Sequence, residues 1–441
     1  MIQLSDHFTY RKLLRFTLPS IVMMIVTSIY VVIDGWFVSN FVGKSPFTAL
    51  NFIFPYLQVL GGVGFMFGTG GSALIGKTLG EQKSQKANEI FSMLIYVSMG
   101  VGVVLMVLGI AFVKNVAVAL GAEGELLSNS IIYGSLYLIG LPGCILQYAF
   151  QCLCATANKP HLGLAATIVS GVTNIVLDVL FLIVFHWGLA GAAIASAVSQ
   201  IVGGLIPVIY FARKNTSLLR LTKAKFDGRF MLRICTNGFS ELLNNISTAI
   251  VSMLYNAQLL HYLGEDGVAA YGVLMYVNLV FIGVFIGYTV GAAPIISYQY
   301  GAQNHRELRS LLRKSMVLLG ISALIMFTAG EFLAKPLSKL YTAYDEGLLA
   351  ITTRAFFIYS FSFLFSGFAI LGSSFFTALN NGAVSALQSF LRTMIFQVVT
   401  VLVFPLFWKE DGIWLSMVSA EFLAAIVAFL LIFKFRKRYH Y

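Results

Sequence analysis

Residues 16–38, FTLPSIVMMIVTSIYVVIDGWFV, form an apolar run with a single ionisable side chain, Asp34. The run matches the ~20 residues that a helix needs to cross the hydrocarbon core of a membrane. Only a helix or a closed barrel satisfies its backbone hydrogen bonds there, and the run is longer than a barrel strand. The stretch therefore predicts a membrane-spanning α-helix.

Eleven further runs of the same kind follow. The chain has 441 residues, of which 58% are hydrophobic and only 11% charged, with a mean hydropathy of +0.85. Soluble domains are about 25% charged, so an ordinary globular enzyme is excluded. We predict an all-α membrane protein with twelve transmembrane helices, at residues 16–38, 49–76, 89–112, 130–154, 162–184, 190–211, 234–259, 268–298, 313–333, 350–378, 383–406 and 413–434.

The distribution of positive charge predicts the orientation. With the N-terminus in the cytoplasm, 22 of the 29 Lys and Arg residues lie on the cytoplasmic side and five on the other, while Arg354 and Arg392 fall inside apolar runs. This bias is typical of cytoplasmic loops. We expect a multi-pass protein of the cell (plasma) membrane with both termini in the cytoplasm. The net charge of +11 then reflects topology, and no nucleic-acid partner is expected.

Seven of these cations lie in residues 212–233, which divide the spans six and six. The two halves repeat one another at an offset of 221, and Asn158 matches Asn380 at 222. An even number of spans gives both halves the same orientation, as in parallel-repeat transporters. We predict an N-terminal lobe at 1–211, a cytoplasmic linker at 212–233 and a C-terminal lobe at 234–441, around a central cleft. The pairs at 221 are Thr27/Thr248, Gly43/Gly264, Ala49/Ala270, Gly62/Gly283, Gly80/Gly301, Gln82/Gln303 and Gly191/Gly412.

Two acids lie inside spans of the first half. Tyr30 and Asp34 are four residues apart on the first span, and Asn174 and Asp178 share that spacing on the fifth, so each pair occupies one helix face. Both acids lie about 24–27 Å along their helices from the cytoplasmic ends. Two close carboxyl groups in a low dielectric cannot both remain ionised. We predict a shared site that holds a proton or a cation.

The second half offers different charges. Tyr255 stands at the position equivalent to Asp34, and the charged candidates are Glu241 and Arg392. The repeat offsets place these two at similar depth on parallel helices. We predict an ion pair between them, whose role could be structural or functional.

One motif is misleading. Residues 71–78, GSALIGKT, match the phosphate-binding pattern G-x-x-x-x-G-K-[ST]. That chemistry requires a strand and a glycine loop in water, whereas these residues end an apolar span and their repeat counterpart lacks the pattern. We interpret the match as chance. The six His residues lack metal-ligand spacing and no catalytic motif is present. We therefore predict no enzyme activity, no cofactor, and no metal other than a sodium ion at the carboxylate site.

Several segments carry a family resemblance. Leu18-Pro19, the stretch from Ile33 to Gly43, and the segments Gly80-Glu-Gln-Lys and Gly301-Ala-Gln-Asn after spans 2 and 8, together with the repeat, resemble the multidrug and toxic compound extrusion (MATE) transporters. The Gram-positive drug exporters and the DinF-like branch are most similar. The resemblance implies an antiporter that exports small cationic or amphiphilic drugs across the membrane by alternating access. We expect it to be a monomer whose other partner is the membrane lipid. Its coupling ion would be H⁺ or Na⁺.

The resemblance also implies site residues. The coupling positions of the DinF-like branch match Tyr30, Asp34, Asn174 and Asp178, and Ser196 stands where that branch has Thr. Pro19 matches the proline at which the first helix bends. Another branch uses acids on spans 7 and 10, and this chain lacks them at both places.

Two alternatives remain open. A flippase for lipid-linked precursors, from the same superfamily, would need exposed cations in the cleft, for which only Arg392 could serve. A receptor or channel is disfavoured because it would not require a two-lobe repeat around titratable groups.

Overall fold

A computed structural model describes residues 2–342 and 345–441. The described residues form helices joined by short turns and by one longer segment at 213–227, and they contain no β-strand. The helices are α1 (Tyr10–Phe41), α2 (Lys44–Gly80), α3 (Ser84–Ala119), α4 (Gly124–Leu138), α5 (Leu141–Thr156), α6 (Pro160–Asp178), α7 (Gly188–Ala212), α8 (Gly228–Gly301), α9 (His305–Thr342), α10 (Glu346–Ser360), α11 (Phe363–Ala378), α12 (Gly382–Phe390), α13 (Phe396–Val403) and α14 (Pro405–Tyr439). Two π-helical turns, Val179–Val184 and Leu391–Ile395, continue α6 and join α12 to α13.

The described helices make up twelve membrane spans. α8 has 74 residues, about 110 Å of helix, and its backbone leaves helical geometry at Gly264 (φ 66°, ψ −152°), so it forms two spans at 228–263 and 265–301. α4 and α5 meet at 59° and α10 and α11 at 50°, and each bent pair forms one span. The count agrees with the hydropathy prediction, although spans 4 and 10 were predicted as unbroken helices.

The backbone repeats between the two halves. Gly43 and its counterpart Gly264 have φ values of 115° and 66°, and Gln82 and Gln303 have values of 61° and 55°. Asn158 and Asn380 likewise share left-handed values, 60° and 58°. L-residues other than Asn and Asp seldom adopt this region. Its recurrence at matched turns shows that both halves follow the same path.

Helix α1 is shared between two hydrophobic cores. One core consists mainly of residues after 250, and the start of α1 adds Leu13 and Phe16 to it. The other core lies in residues before 235, and the far end of α1 adds Phe37 and Val38. α1 therefore crosses from the second half of the chain at its first turns to the first half at its last turns.

Spans 2 and 8 touch at the end of the bundle that carries both termini, here called the terminal end. A Cβ atom on Gly80 would lie 2.1 Å from the carbonyl oxygen of Tyr298, and one on Gly301 would lie 2.1 Å from that of Lys77. Gly80 and Gly301 are repeat counterparts. Spans 2 and 8 therefore close this end of the bundle through equivalent contacts from the two halves. The residues of the phosphate-loop pattern, 71–78, are helical throughout, and no glycine loop forms there.

Candidate functional site

Three helices bring the predicted polar residues together. Asp34 on α1 lies near the side chains of Asn174 and Asp178 on α6 and of Ser196 on α7. The Ser196 hydroxyl donates to Asp34 Oδ1 at 3.4 Å, and Asn174 Nδ2 donates to Ser196 Oγ at 3.5 Å. Two carboxyl groups, an amide and a hydroxyl from the first half of the chain thus lie close together.

Tyr30 forms the approach to this cluster. It lies one helical turn before Asp34, close enough for electrostatic interaction, and its side chain packs on Gly171 of α6, where a Cβ would be 3.6 Å from Tyr30 Cβ. A methyl group at residue 171 would meet Tyr30 in ordinary van der Waals contact. Tyr30 and Asp34 are both partly exposed.

Asp178 lies on the closed side of the site. Its residue exposure is 0%, and neither of its carboxylate oxygens has a hydrogen-bond donor among the described residues. The side-chain oxygen of Asn174 is buried without a donor as well. A buried acceptor without a donor is costly. A shared proton between the two carboxyl groups would satisfy them, and the oxygen-rich donor set also suits a hard cation such as sodium.

A π-helical turn follows Asp178 directly, at Val179–Val184. Such turns cost hydrogen-bond geometry and are concentrated at functional sites. The second half has its π turn at Leu391–Ile395, and it carries Arg392. Sequence periodicity contains no signal for either turn.

Three residues of the cluster were not predicted. These are Tyr133 on α4, which lies near Ser196 and both carboxyl groups, and Tyr137, which lies near Gln200, one turn further along α7. Tyr133 and Tyr137 have the i, i+4 spacing that drew attention to Tyr30 and Asp34. That spacing could have found them, but the abundant aromatic residues concealed it.

The equivalent position in the second lobe is neutral. Tyr255, the counterpart of Asp34, donates to Gln397 Oε1 at 2.6 Å and lies 2.9 Å from Ser416 Oγ. Thr400, the counterpart of Asp178 at an offset of 222, donates to the carbonyl oxygen of Ser416 at 3.1 Å. Hydroxyl and amide groups satisfy one another here, so this lobe contains no second carboxylate pair at the matching place.

Pro19 lies far from the carboxyl groups, about 22 Å along α1 from Asp34. α1 continues through it without a break. It is flanked by close contacts between α1 and the second half of α8: a Cβ on Gly287 would be 2.5 Å from Ile21 Cα, and one on Gly291 would be 3.0 Å from Thr17 Cα.

The predicted ion pair between Glu241 and Arg392 is wrong. Arg392 Nε donates to both carboxylate oxygens of Glu421, at 3.1 and 2.9 Å, and these side chains are 14% and 11% exposed. The π turn directs Arg392 toward α14, which carries Glu421. Glu241 is near enough to Arg392 to act on it electrostatically but not to pair with it. The prediction failed because it did not consider Glu421 on the last span.

Comparison with known proteins gives a consistent result. The family model MatE matches residues 19–180 and 242–403, once in each half. The chain is 24% identical to the multidrug export protein MepA of Staphylococcus saprophyticus, over 97% of this chain and 94% of that protein. It is 23% identical to MepA of Staphylococcus aureus, with the same coverage.

Solved structures share the fold. The outward-facing conformation of a multidrug resistance MATE family transporter of the MOP superfamily superposes with a TM-score of 0.91 at 22% identity, over 98% of this chain and 97% of that one. A crystal structure of MATE in complex with MaL6 gives the same values.

Proposed function

Since this chain belongs to the MatE family, we propose that it is a multidrug exporter that exchanges cationic or amphiphilic substrates for protons or sodium ions. The MepA relatives are multidrug export proteins. The observation that carries the exchange mechanism is the cluster of Asp34, Ser196 and Asp178, in which Ser196 donates to Asp34 and both oxygens of the neighbouring Asp178 carboxylate are buried without a donor among the described residues.

The coupling follows from charge in a low dielectric. When both carboxyl groups are deprotonated, the cleft is negative and favours a cationic substrate. A proton or sodium ion bound between them removes that charge and weakens substrate binding. Because such coupling is reciprocal, the bound substrate weakens the affinity for the ion by the same factor.

Helix α1 connects this chemistry to the rest of the molecule. Its last turns carry Tyr30 and Asp34, while the turns around Pro19 pack on the second half of α8. Pro19 lacks a backbone N–H, so α1 has one hydrogen bond fewer at that point and bends there at lower cost. We propose that ion binding at Asp34 and Asp178 bends α1 at Pro19 and expels the substrate from the cleft.

The flippase alternative is not supported by the charges of the cleft. It would use Arg392 as an exposed cation for a pyrophosphate group, and the Arg392 guanidinium is held by Glu421 with little exposure. We therefore keep drug export as the proposal.

Ethidium transport in inverted membrane vesicles tests the proposal. A proton gradient and a sodium gradient are imposed separately, and ethidium uptake is followed by fluorescence. We expect uptake under at least one gradient and its collapse when that gradient is dissipated. An ethidium uptake rate that depends on neither gradient would contradict antiport.

A further inference from the structure

The segment at 213–227, here called the joining segment, connects α7 to α8 and folds back along the first turns of α3. The backbone N–H of Arg220 donates to Asn88 Oδ1 at 2.8 Å, and the backbone N–H of Thr222 donates to Ser92 Oγ at 2.8 Å. These bonds fix the joining segment in register with α3. The lysines near its end therefore have a defined position.

A cavity of about 310 Å³ lies between the joining segment, the start of α3 and the start of α8. Small-molecule sites have volumes of about 300–1,000 Å³, so the cavity has room for one small polar group. Three elements supply its wall: Lys86 and Glu89 from α3, Lys223, Lys225 and Asp227 from the joining segment, and Phe230 from α8.

The three lysines of the wall have no counter-ion. Lys86, Lys223 and Lys225 form no ion pair with any residue that the structure describes. Lys86 Nζ lies 4.7 Å from the centroid of the Phe230 ring, and this cation–π interaction holds it at the wall. Lysine ammonium groups bind phosphate as point charges. Three of them around one cavity suit a ligand that carries a phosphate group.

The two acids of the wall leave positive charge in excess. Asp227 Oδ1 accepts a hydrogen bond from the backbone N–H of Arg229 at 2.9 Å and so caps α8. Glu89 Oε1 accepts from Gln85 Nε2, one turn away on α3, at 3.5 Å. With three lysines against two acids, the wall keeps one net positive charge.

The side of α3 that lines the cavity continues into the membrane. Its exposed apolar residues further along the helix are Tyr96, Val103 and Val107, which share a face with Glu89. Exposed apolar side chains on a membrane span contact lipid, and tyrosine is typical of the membrane–water boundary. Glu89 lies about 10 Å before Tyr96 along the helix. The cavity is therefore at the depth of the lipid headgroups.

Exposed apolar residues also flank the cavity. Phe226, between Lys225 and Asp227 of the wall, is 70% exposed, and Leu232 on the first turns of α8 is 64% exposed. Apolar side chains among basic ones are typical of segments that lie on an anionic membrane surface. The distribution of positive charge predicts that this end of the bundle faces the cytoplasmic leaflet, which is rich in anionic lipid.

From the cavity, its unpaired lysines and the lipid-facing surface that leads to it, we propose that Lys86, Lys223 and Lys225 bind the phosphate headgroup of an anionic phospholipid. The acyl chains of this lipid lie along the exposed face of α3. Because Phe230 belongs to the second half of the chain, the bound headgroup connects the two halves at the terminal end. The inference does not depend on the coupling ion or on the exported substrate.

Native mass spectrometry of the purified full-length protein, released from detergent micelles, counts individual bound lipids. Phosphatidylglycerol carries one net negative charge, whereas phosphatidylcholine has the same phosphate diester neutralised by choline. The two lipids are titrated separately. In the unmodified protein we expect the first phosphatidylglycerol to bind about tenfold or more tightly than the first phosphatidylcholine. Equal dissociation constants would show that no charge-selective lipid site exists and would overturn the proposal.

A pair of double variants locates the site. Lys223→Gln with Lys225→Gln should weaken binding of the first phosphatidylglycerol about tenfold and leave phosphatidylcholine within about twofold. Arg213→Gln with Lys214→Gln is the matched control, because it removes the same charge from the same segment outside the cavity. The control should stay within about twofold of the unmodified protein. All four side chains are exposed, so both variants should fold.

Equal losses in the two double variants would show diffuse attraction to a basic segment, and the assignment to the cavity would be wrong. An unchanged affinity in the Lys223→Gln, Lys225→Gln variant would overturn it as well.

The free headgroup sn-glycerol 1-phosphate distinguishes a lipid from a soluble phosphate compound. It lacks the acyl chains, so it should displace phosphatidylglycerol only at concentrations about 100-fold or more above that of the lipid. Displacement at equal concentrations would identify a site for a soluble phosphate compound and would overturn the assignment to a lipid. None of these measurements involves transport, so the export proposal is tested separately.

Discussion

Asp34 and Asp178 are neighbours between α1 and α6, and both oxygens of Asp178 are buried without a hydrogen-bond donor among the described residues. The arrangement is chemically incomplete unless a proton or a cation joins the two groups. The equivalent place in the second lobe is neutral and internally hydrogen-bonded. The asymmetry confines ion coupling, in our account, to the first lobe.

Asp34→Asn should abolish gradient-driven ethidium transport, with a loss of about 100-fold or more, because an amide cannot exchange a proton or carry the negative charge. The protein should still fold, since Asn can accept the hydrogen bond of Ser196. Vesicle transport and size-exclusion chromatography measure both properties. Glu123→Gln, an exposed acid at the start of α4, is the control and should transport normally.

Ser196 offers a graded test of the same site. Ser196→Ala removes the hydroxyl that donates to Asp34 and should weaken the apparent affinity for the coupling ion by about 2–10-fold, the usual value of one hydrogen bond. Ser196→Thr keeps the hydroxyl and should stay within about twofold. Initial transport rates as a function of external pH or sodium concentration give both numbers. Equal effects of Ala and Thr would indicate that packing, rather than the hydroxyl, matters.

Pro19→Ala should slow transport about tenfold or more without changing equilibrium ion binding. Alanine restores the backbone hydrogen bond that proline lacks, so α1 resists bending. Pro336→Ala provides the matched control, because Pro336 is exposed inside α9. If Pro19→Ala transports ethidium as fast as the unmodified protein, bending at this residue has no part in the cycle.

The closure at the terminal end depends on glycine. Gly80→Ala would place a methyl group 2.1 Å from the carbonyl oxygen of Tyr298 and should destabilise this conformation by about 1–3 kcal/mol, the usual cost of overpacking. Gly100→Ala, in open space on α3, should not destabilise the protein. Thermal unfolding in detergent compares the two variants. Equal melting temperatures would mean that spans 2 and 8 separate at that point without cost.

Hydropathy and the internal repeat sufficed to predict most of the fold. Membrane insertion requires helices of a minimum length, so the twelve apolar runs predicted the twelve spans. The bends were not predictable in the same way. Pro142 and Gly140 mark the bend between α4 and α5, but Ser360 and Ser362 flank the equivalent bend between α10 and α11 without any breaking residue. Tertiary packing decides that second bend.

The site was partly predictable for a related reason. Acids inside apolar runs are rare, so Asp34 and Asp178 could be recognised as site residues from the sequence. Tyr30 and Asn174 follow from their i, i+4 spacing to these acids. Tyr133 carries no charge, and its i, i+4 spacing to Tyr137 is a weak signal in a chain so rich in aromatic residues. Arg392 was assigned to Glu241 from depth alone, whereas its partner Glu421 depends on which helix face the π turn presents.

Ion release on substrate binding tests the central claim most directly. Ethidium is added to purified protein in weakly buffered solution, and released protons are counted with a pH indicator dye, or released sodium with a radioactive tracer. Our account predicts release of about one ion per bound ethidium from the unmodified protein and none from the Asp34→Asn, Asp178→Asn double variant. Binding of ethidium without ion release, or undiminished release from the double variant, would contradict it.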